Sequence, residues 1–116
     1  MSLDSTDLEL HFPGLNYCGH GTNLDKRLEK DGKTPKPKYR PKDRIDEISL
    51  RHDLYYTDHP SQRERLKGDD IMLKELYKIN NPTCRERCER CIVAPLLWLK
   101  RFFIGNWFSL IDFFQQ

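Results

Sequence analysis

Cysteine is scarce and unevenly spread in this 116-residue chain: four, at 18, 84, 88 and 91, with three of them inside eight residues. A secreted scaffold of this size that relied on disulfides would distribute more of them along its length. Residues 1–10 carry Asp4, Asp7 and Glu9 and lack the apolar stretch of a secretory leader. The expectation is synthesis in the cytoplasm or nucleus, with thiols reduced. Long apolar runs are missing as well. The most apolar part, residues 92–114, is split by Lys100-Arg101, whereas a membrane span needs about 20 apolar residues with few charges. No internal repeat and no strong strand alternation is present. Hydrophobic residues (Ala, Val, Ile, Leu, Met, Phe, Trp, Tyr and Cys) make up 37% against 33% charged, with a mean hydropathy of -0.79. Such a chain is one domain with a small core, which packed helices cover economically.

The sequence divides into a lead (1–11), a central domain (12–91) and an aromatic amphipathic segment (92–116). Pro13-Gly14 marks a turn, and a glycine-rich motif follows: Tyr17-Cys18-Gly19-His20-Gly21. Residues 22–42 form a basic connection broken by Gly32, Pro35, Pro37 and Pro41, expected to be exposed and mobile, with at most a helical turn near residues 24–28. Asp43 is the expected N-cap of a helix over about 44–57, with Ile45, Ile48, Ser49, His52 and Tyr56 on one face. Pro60 stops it. A second helix is predicted to begin after Ser61 and run to about Asn80, with Asp69, Met72, Leu73, Leu76 and Ile79-Asn80 on its inward stripe. Helices joined by so short a link pack antiparallel. The predicted fold is all-α: two antiparallel helices carrying the site, an N-terminal loop, a C-terminal apolar helical segment and no disulfide framework.

Two elements of this pattern carry chemistry. His52 lies on an inward stripe, where a lone histidine is ordinarily just a satisfied core residue. Asp69, however, heads the apolar stripe of the facing helix, and a carboxylate there is costly unless paired. An aspartate that holds one imidazole nitrogen leaves the other free to take a proton from water. Asp70 is the competing partner, but its neighbours Lys74 and Tyr77 place it on the exposed side. Asp53, rotated by about 100° from His52, points sideways. Calcium takes six to eight oxygen ligands, often peptide carbonyls plus a carboxylate. The carbonyls of Tyr17, Gly19 and Gly21 can converge in a tight loop, with Asp53 as the carboxylate and the Gly19 N–H as an oxyanion contact. On its own a Gly-x-Gly loop is an ordinary turn far more often than a metal site.

These residues together resemble a known family. Tyr17-Cys18-Gly19-His20-Gly21 looks like the calcium loop of secreted phospholipases A2. Asp46, His52-Asp53 and Tyr56 match that family's active-site helix, and Lys67-Gly68-Asp69 with Met72-Leu73 resembles its second helix. The resemblance covers roughly residues 12–80. It implies His52 as the base, Asp69 as its orienting partner, Tyr56 as a support for Asp69, and Tyr17, Gly19, Gly21 and Asp53 as calcium ligands. It assigns no role to His20. The implied reaction is hydrolysis of the sn-2 acyl ester of glycerophospholipids. The secreted enzymes have paired cysteines where this chain has Ile48 and Ser49, so Cys18 lacks its usual partner. That departure, with Phe12-Pro13-Gly14-Leu15-Asn16-Tyr17 and Thr22-Asn23-Leu24-Asp25, resembles the disulfide-free phospholipase A2-like domain of parvovirus minor capsid proteins, with kin in invertebrate viruses and mobile elements. In that branch the activity serves membrane breach during entry, which implies virion association and a larger parent protein.

The remaining features have more than one reading. Cys84, Cys88 and Cys91 suit ligands on one helical face, but a structural zinc site wants a fourth clustered ligand, and His59 has no pairing motif. The bland reading is reduced helix cysteines. Between Lys26 and Arg44 lie nine basic residues. These form a solvated loop, a surface for anionic headgroups at about 1 kcal/mol per charge, or a nucleic-acid patch. The single aromatic, Tyr39, argues against base stacking, so nucleic acid is not the expected partner. Trp98, Lys100, Arg101, Phe102, Phe103 and Trp107 suit a helix lying in a headgroup region, so a phospholipid membrane is the expected partner. Core packing is the bland alternative. Three functions follow in order: a calcium-dependent phospholipase A2, a catalytically silent lipid-binding module, and a zinc-associated nucleic-acid module that leaves His52-Asp53 unexplained.

Overall fold

Each helix begins where the sequence offers a capping side chain. The computed structural model describes residues 10–11, 13–20 and 22–114, with only the backbone course for 10–11, 19–20 and 104–114. Helix α1, Leu24–Arg27, starts at Asn23, whose side chain accepts from the Lys26 N–H at 3.3 Å. Helix α2, Arg44–Asp58, starts at Asp43, which accepts from the Asp46 N–H at 2.8 Å. Helix α3, Gln62–Tyr77, starts at Ser61, which accepts from the Glu64 N–H at 3.2 Å. Helix α4, Cys84–Phe114, opens with a reciprocal capping box. The Glu86 N–H donates to Thr83 Oγ1 at 3.1 Å and the Thr83 N–H to Glu86 Oε1 at 3.0 Å.

The fold is all-α and disulfide-free, and all four cysteines are free thiols. Contacts between α2 and α3 run in opposite order along the two helices. Arg51 meets Glu75, Tyr55 packs on Gly68, and Tyr56 faces Arg65. The pair is therefore antiparallel. Ile45 and Ile48 of α2, Met72, Leu73 and Leu76 of α3, and Ala94 and Leu97 of α4 form one core with Leu15 and Cys18. Arg44 locks three helix ends together. Its guanidinium donates to Glu86 and to the carbonyls of Asn80 and Asn81, at 2.7–3.2 Å.

The structure departs from the sequence reading in four places. Helix α3 stops at Tyr77, short of Asn80: the Lys78 N–H is shared between the Lys74 and Glu75 carbonyls, which tightens the last turn, and Asn81 then takes the left-handed region (φ 48°) ahead of Pro82. The cysteine-bearing stretch and the aromatic segment are one continuous helix that runs through Pro95. The basic connection is structured rather than loose. Arg27 and Leu28 are buried, Leu28 bridges to Pro35, and a short 3-10 turn covers Pro37–Tyr39. There the Tyr17 hydroxyl donates to the Tyr39 carbonyl at 2.7 Å. Within the glycine-rich motif, strand β2 (Gly19–His20) pairs antiparallel with β1 (Leu10–His11), a two-residue ladder that no alternation announces.

A buried carboxyl pair joins the start of α2 to α4. Glu89 is fully buried and sits against Asp43, with the Arg85 Nε at 3.3 Å. Burial, then the neighbouring Asp43 carboxylate, raises the Glu89 pKa from 4.5 to about 7 against the pull of Arg85. A carboxyl whose pKa is raised on folding adds stability below its unfolded value, and that stability is lost as pH climbs through the folded value. The melting temperature should therefore fall as pH rises from about 4 to 8, a window that spans both values. Glu89→Gln, which resembles the protonated form, should flatten that slope and match or exceed the wild type at the alkaline end. Thermal melts followed by circular dichroism across this range test it; an unchanged slope in the variant would remove Glu89 as its source.

Candidate active site

Asp69 sits where α2, α3 and α4 meet, and its side chain has 0% exposure. From α2, His52 Nε2 lies 2.6 Å from Asp69 Oδ1, and the Tyr56 hydroxyl donates to the same oxygen. From α4, Lys100 Nζ lies 3.2 Å from Asp69 Oδ2 and donates to the Tyr56 hydroxyl. His52 and Tyr56 are one turn apart, with ring centroids 4.2 Å from each other. Asp69 can approach because Gly68 leaves room: a Cβ there would meet the Tyr55 ring at 2.6 Å.

The electrostatics follow from this packing. Burial alone would depress the His52 pKa, but the Asp53 and Asp69 carboxylates outweigh it and raise the value above 6.5. Burial alone would raise Asp69; the donors His52 and Tyr56 and the Lys100 charge reverse that and hold it below 3.8. Burial and the Asp69 carboxylate push the Tyr56 hydroxyl well above its ordinary value, so it remains a donor. With Nε2–H given to Asp69, the neutral ring presents Nδ1 as an acceptor. Nδ1 lies 3.8 Å from Asp53 Oδ1.

These groups border a cavity of about 850 Å³. Its walls include Tyr17, His52, Asp53, Tyr56 and Lys100, with Leu24, Met72, Val93, Leu96 and Leu97 on the apolar side. Tyr17 is brought there by Asp46. That buried carboxylate accepts from the Tyr17 N–H at 2.7 Å, the Asn16 N–H at 3.1 Å and the Lys42 N–H at 2.9 Å. The structure thus gathers His52, Asp53, Tyr56 and Tyr17 around one space, with Asp69 buried behind His52 and Tyr56. Gly19 lies in β2 opposite His11, and Gly21 is outside the described residues.

The profile of the phospholipase A2-like domain family matches residues 8–87. The chain belongs to this family. No curated protein and no solved structure matches it. The phospholipase A2-like match ends early in α4, so most of that helix lies beyond it.

Of the residues expected to hold calcium, Tyr17 and Asp53 share the cavity wall, and a carboxylate with peptide carbonyls is the hard-oxygen chemistry that ion takes. Among the described residues no group of three or more His, Cys, Asp or Glu gathers to hold a metal. A cation would therefore rest on the Tyr17 loop and Asp53, which share the cavity wall. Cys84, Cys88 and Cys91 lie exposed along α4.

The aromatic segment is divided by side. Trp98, Phe102 and Phe103 are 51–62% exposed, while Lys100 and Arg101 reach α3, Arg101 Nη2 donating to Asp70 Oδ2 at 3.0 Å. The side chain of Trp107 lies outside the described residues. Sequence reasoning missed Lys100 as a neighbour of the His52–Asp69 pair. The signal was available: Val93, Leu97 and Lys100 share one face of α4, and a lysine on an apolar stripe needs an acid as much as Asp69 needs a base.

Cys18 is buried beside Ser49, and burial raises its thiol pKa to about 11. In the native protein a thiol reagent should label Cys84, Cys88 and Cys91 quickly and Cys18 only on unfolding, since the thiolate is the reacting form. Mass spectrometry of peptides after a short pulse checks this; early labelling of Cys18 would contradict its place in the core.

Proposed function

We propose that this domain is a calcium-dependent phospholipase A2 that hydrolyses the sn-2 acyl ester of glycerophospholipids. The observation that carries the reading is the buried His52–Asp69 pair opening onto a largely apolar cavity beside Asp53. Asp69 holds His52 by Nε2, and Tyr56 steadies Asp69. His52 Nδ1 then accepts a proton from water as the water attacks the ester carbonyl, and returns it to the leaving alcohol oxygen. Bound calcium, held by the carbonyls of Tyr17, Gly19 and Gly21 and the Asp53 carboxylate, would neutralise phosphate charge and polarise the ester. The Gly19 N–H adds a donor for the developing oxyanion. Leu96, Leu97 and Val93 receive the acyl chain and keep water from the reacting bond.

Substrate enters from a lipid surface. Ile92 and Leu96 both line the cavity and lie exposed, so the cavity mouth is continuous with the exposed apolar face that also carries Trp98, Phe102 and Phe103. Lys100 and Arg101 border that face. Among the described residues no helix is long and apolar enough to cross a membrane, which suits a helix lying in the headgroup layer. Cys18 packs beside Ser49, where secreted relatives would place a cysteine, and this favours the disulfide-free capsid type within a larger parent protein. In that setting the reaction serves membrane breach.

Fatty-acid release from mixed phospholipid vesicles, with calcium or with a chelator, tests the reading. Release should require calcium, come from the sn-2 position, and fall at least about 10²-fold in His52→Gln. A folded chain that binds vesicles but releases nothing would leave a silent lipid-binding module. Separately, Trp98→Ala with Phe102→Ala should weaken vesicle sedimentation while sparing hydrolysis of a monomeric short-chain substrate. Equal losses on both substrates would place these residues in the site rather than at the surface.

A further inference from the structure

Lys100 reaches Asp69 from outside the family-matched region. Asp69 is buried with four lone-pair directions to satisfy. Oδ1 is taken by His52 Nε2 and the Tyr56 hydroxyl; Oδ2 faces Lys100 Nζ at 3.2 Å. Held by one oxygen only, the carboxylate could turn about its Cβ–Cγ bond and swing Oδ1 away from the imidazole. A cation on the second oxygen prevents this and balances the charge that a neutral His52 leaves uncompensated. The ammonium also sits 4.7 Å from the Tyr56 ring centroid and donates to its hydroxyl, so the three side chains close a triangle. One residue along, Arg101 grips Asp70. Adjacent cations on α4 thus meet adjacent acids on α3, and the double pairing sets the rotation of α4 against the site.

We propose that Lys100 is a positioning residue of the hydrolytic site: it pins the Asp69 carboxylate and the Tyr56 hydroxyl so that His52 keeps its productive orientation, and the helix beyond the family-matched region thereby completes the active site. This rests on the reading of His52 as the base. Lys100 also lines the cavity, so a direct contact to lipid phosphate is the competing role. The two roles differ in what they change. A phosphate contact acts on substrate binding, whereas a positioning contact acts on turnover.

The test compares wild type, Lys100→Met and Lys100→Arg on mixed phosphatidylglycerol and phosphatidylcholine vesicles with calcium. Loss of an orienting partner costs about 10- to 100-fold in activity. The expected result is that loss in kcat for Lys100→Met, with KM and vesicle binding within about three-fold of wild type. Lys100→Arg, which keeps a cation on Oδ2, should recover most of kcat. Unchanged kcat in Lys100→Met, or a change confined to KM or vesicle binding, would overturn the proposal. Should Lys100→Met not fold, Lys100→Gln takes its place, with the same expected loss. A second readout does not need turnover. The hydrogen-bonded His52 Nε2–H proton should appear downfield by NMR in wild type and Lys100→Arg, and be lost by exchange in Lys100→Met. If the wild type released no fatty acid, the functional reading would fall, and this resonance would still decide whether Lys100 holds the pair; its persistence in Lys100→Met would overturn the proposal.

Discussion

The fold and its site depend on one carboxylate. Asp69 has no exposed surface, and burying an unpaired charge among apolar side chains is prohibitive. Two other helices must therefore bring partners to it: His52 and Tyr56 as donors from α2, and the Lys100 charge from α4. A buried ion pair contributes little net stability, because desolvation offsets the Coulomb attraction, but an arrangement that leaves the charge unpaired is strongly disfavoured. Asp69 consequently selects among packings of the same apolar stripes. The packing that satisfies it is also the one that directs an imidazole nitrogen into the cavity.

A second carboxylate does for the loop what Asp69 does for the helices. Asp46 lies in the first turn of α2 and accepts three backbone N–H groups from segments outside that helix. The spacing between the Tyr17 backbone and His52 is thereby set along a single rigid helix. In a disulfide-free chain this is how a glycine-containing loop is held at a fixed distance from a base. Arg44, two residues earlier, ties the same end of α2 to the end of α3 and the start of α4 through Glu86. Both acids and the arginine belong to a small polar framework that compensates for a modest apolar core.

Helix α4 joins chemistry to surface. Its inward stripe, Ala94, Leu97 and Lys100, completes the core and reaches Asp69, while Trp98, Phe102 and Phe103 face outward. Ile92 and Leu96 belong to both sides, which leaves the cavity open toward the apolar face. The helix can be amphipathic in this unusual sense, apolar on two faces, because its inward polar groups are already paired with acids of α3.

Local chemistry determined much of this from the sequence alone. Asp43 and Ser61 start helices because their side chains accept the orphan N–H groups three residues on, and Pro60 ends one because it cannot continue the ladder. The stripes carrying His52 and Asp69 follow from a 3.6-residue period, and two charged or polar groups on facing apolar stripes have few partners to choose from. What lay beyond the sequence depends on pairings between distant residues, which no local period encodes. The two-residue ladder of β1 and β2, the burial of Arg27 and Leu28 inside a basic connection, and the tie from the Tyr17 hydroxyl to the Tyr39 carbonyl are of this kind. So is the place of Lys100. On the helix it reads as one more cation in an amphipathic segment; only the rotation of α4, set by Leu97 in the core and by Asp70 opposite Arg101, turns it onto a buried carboxylate thirty-one positions away.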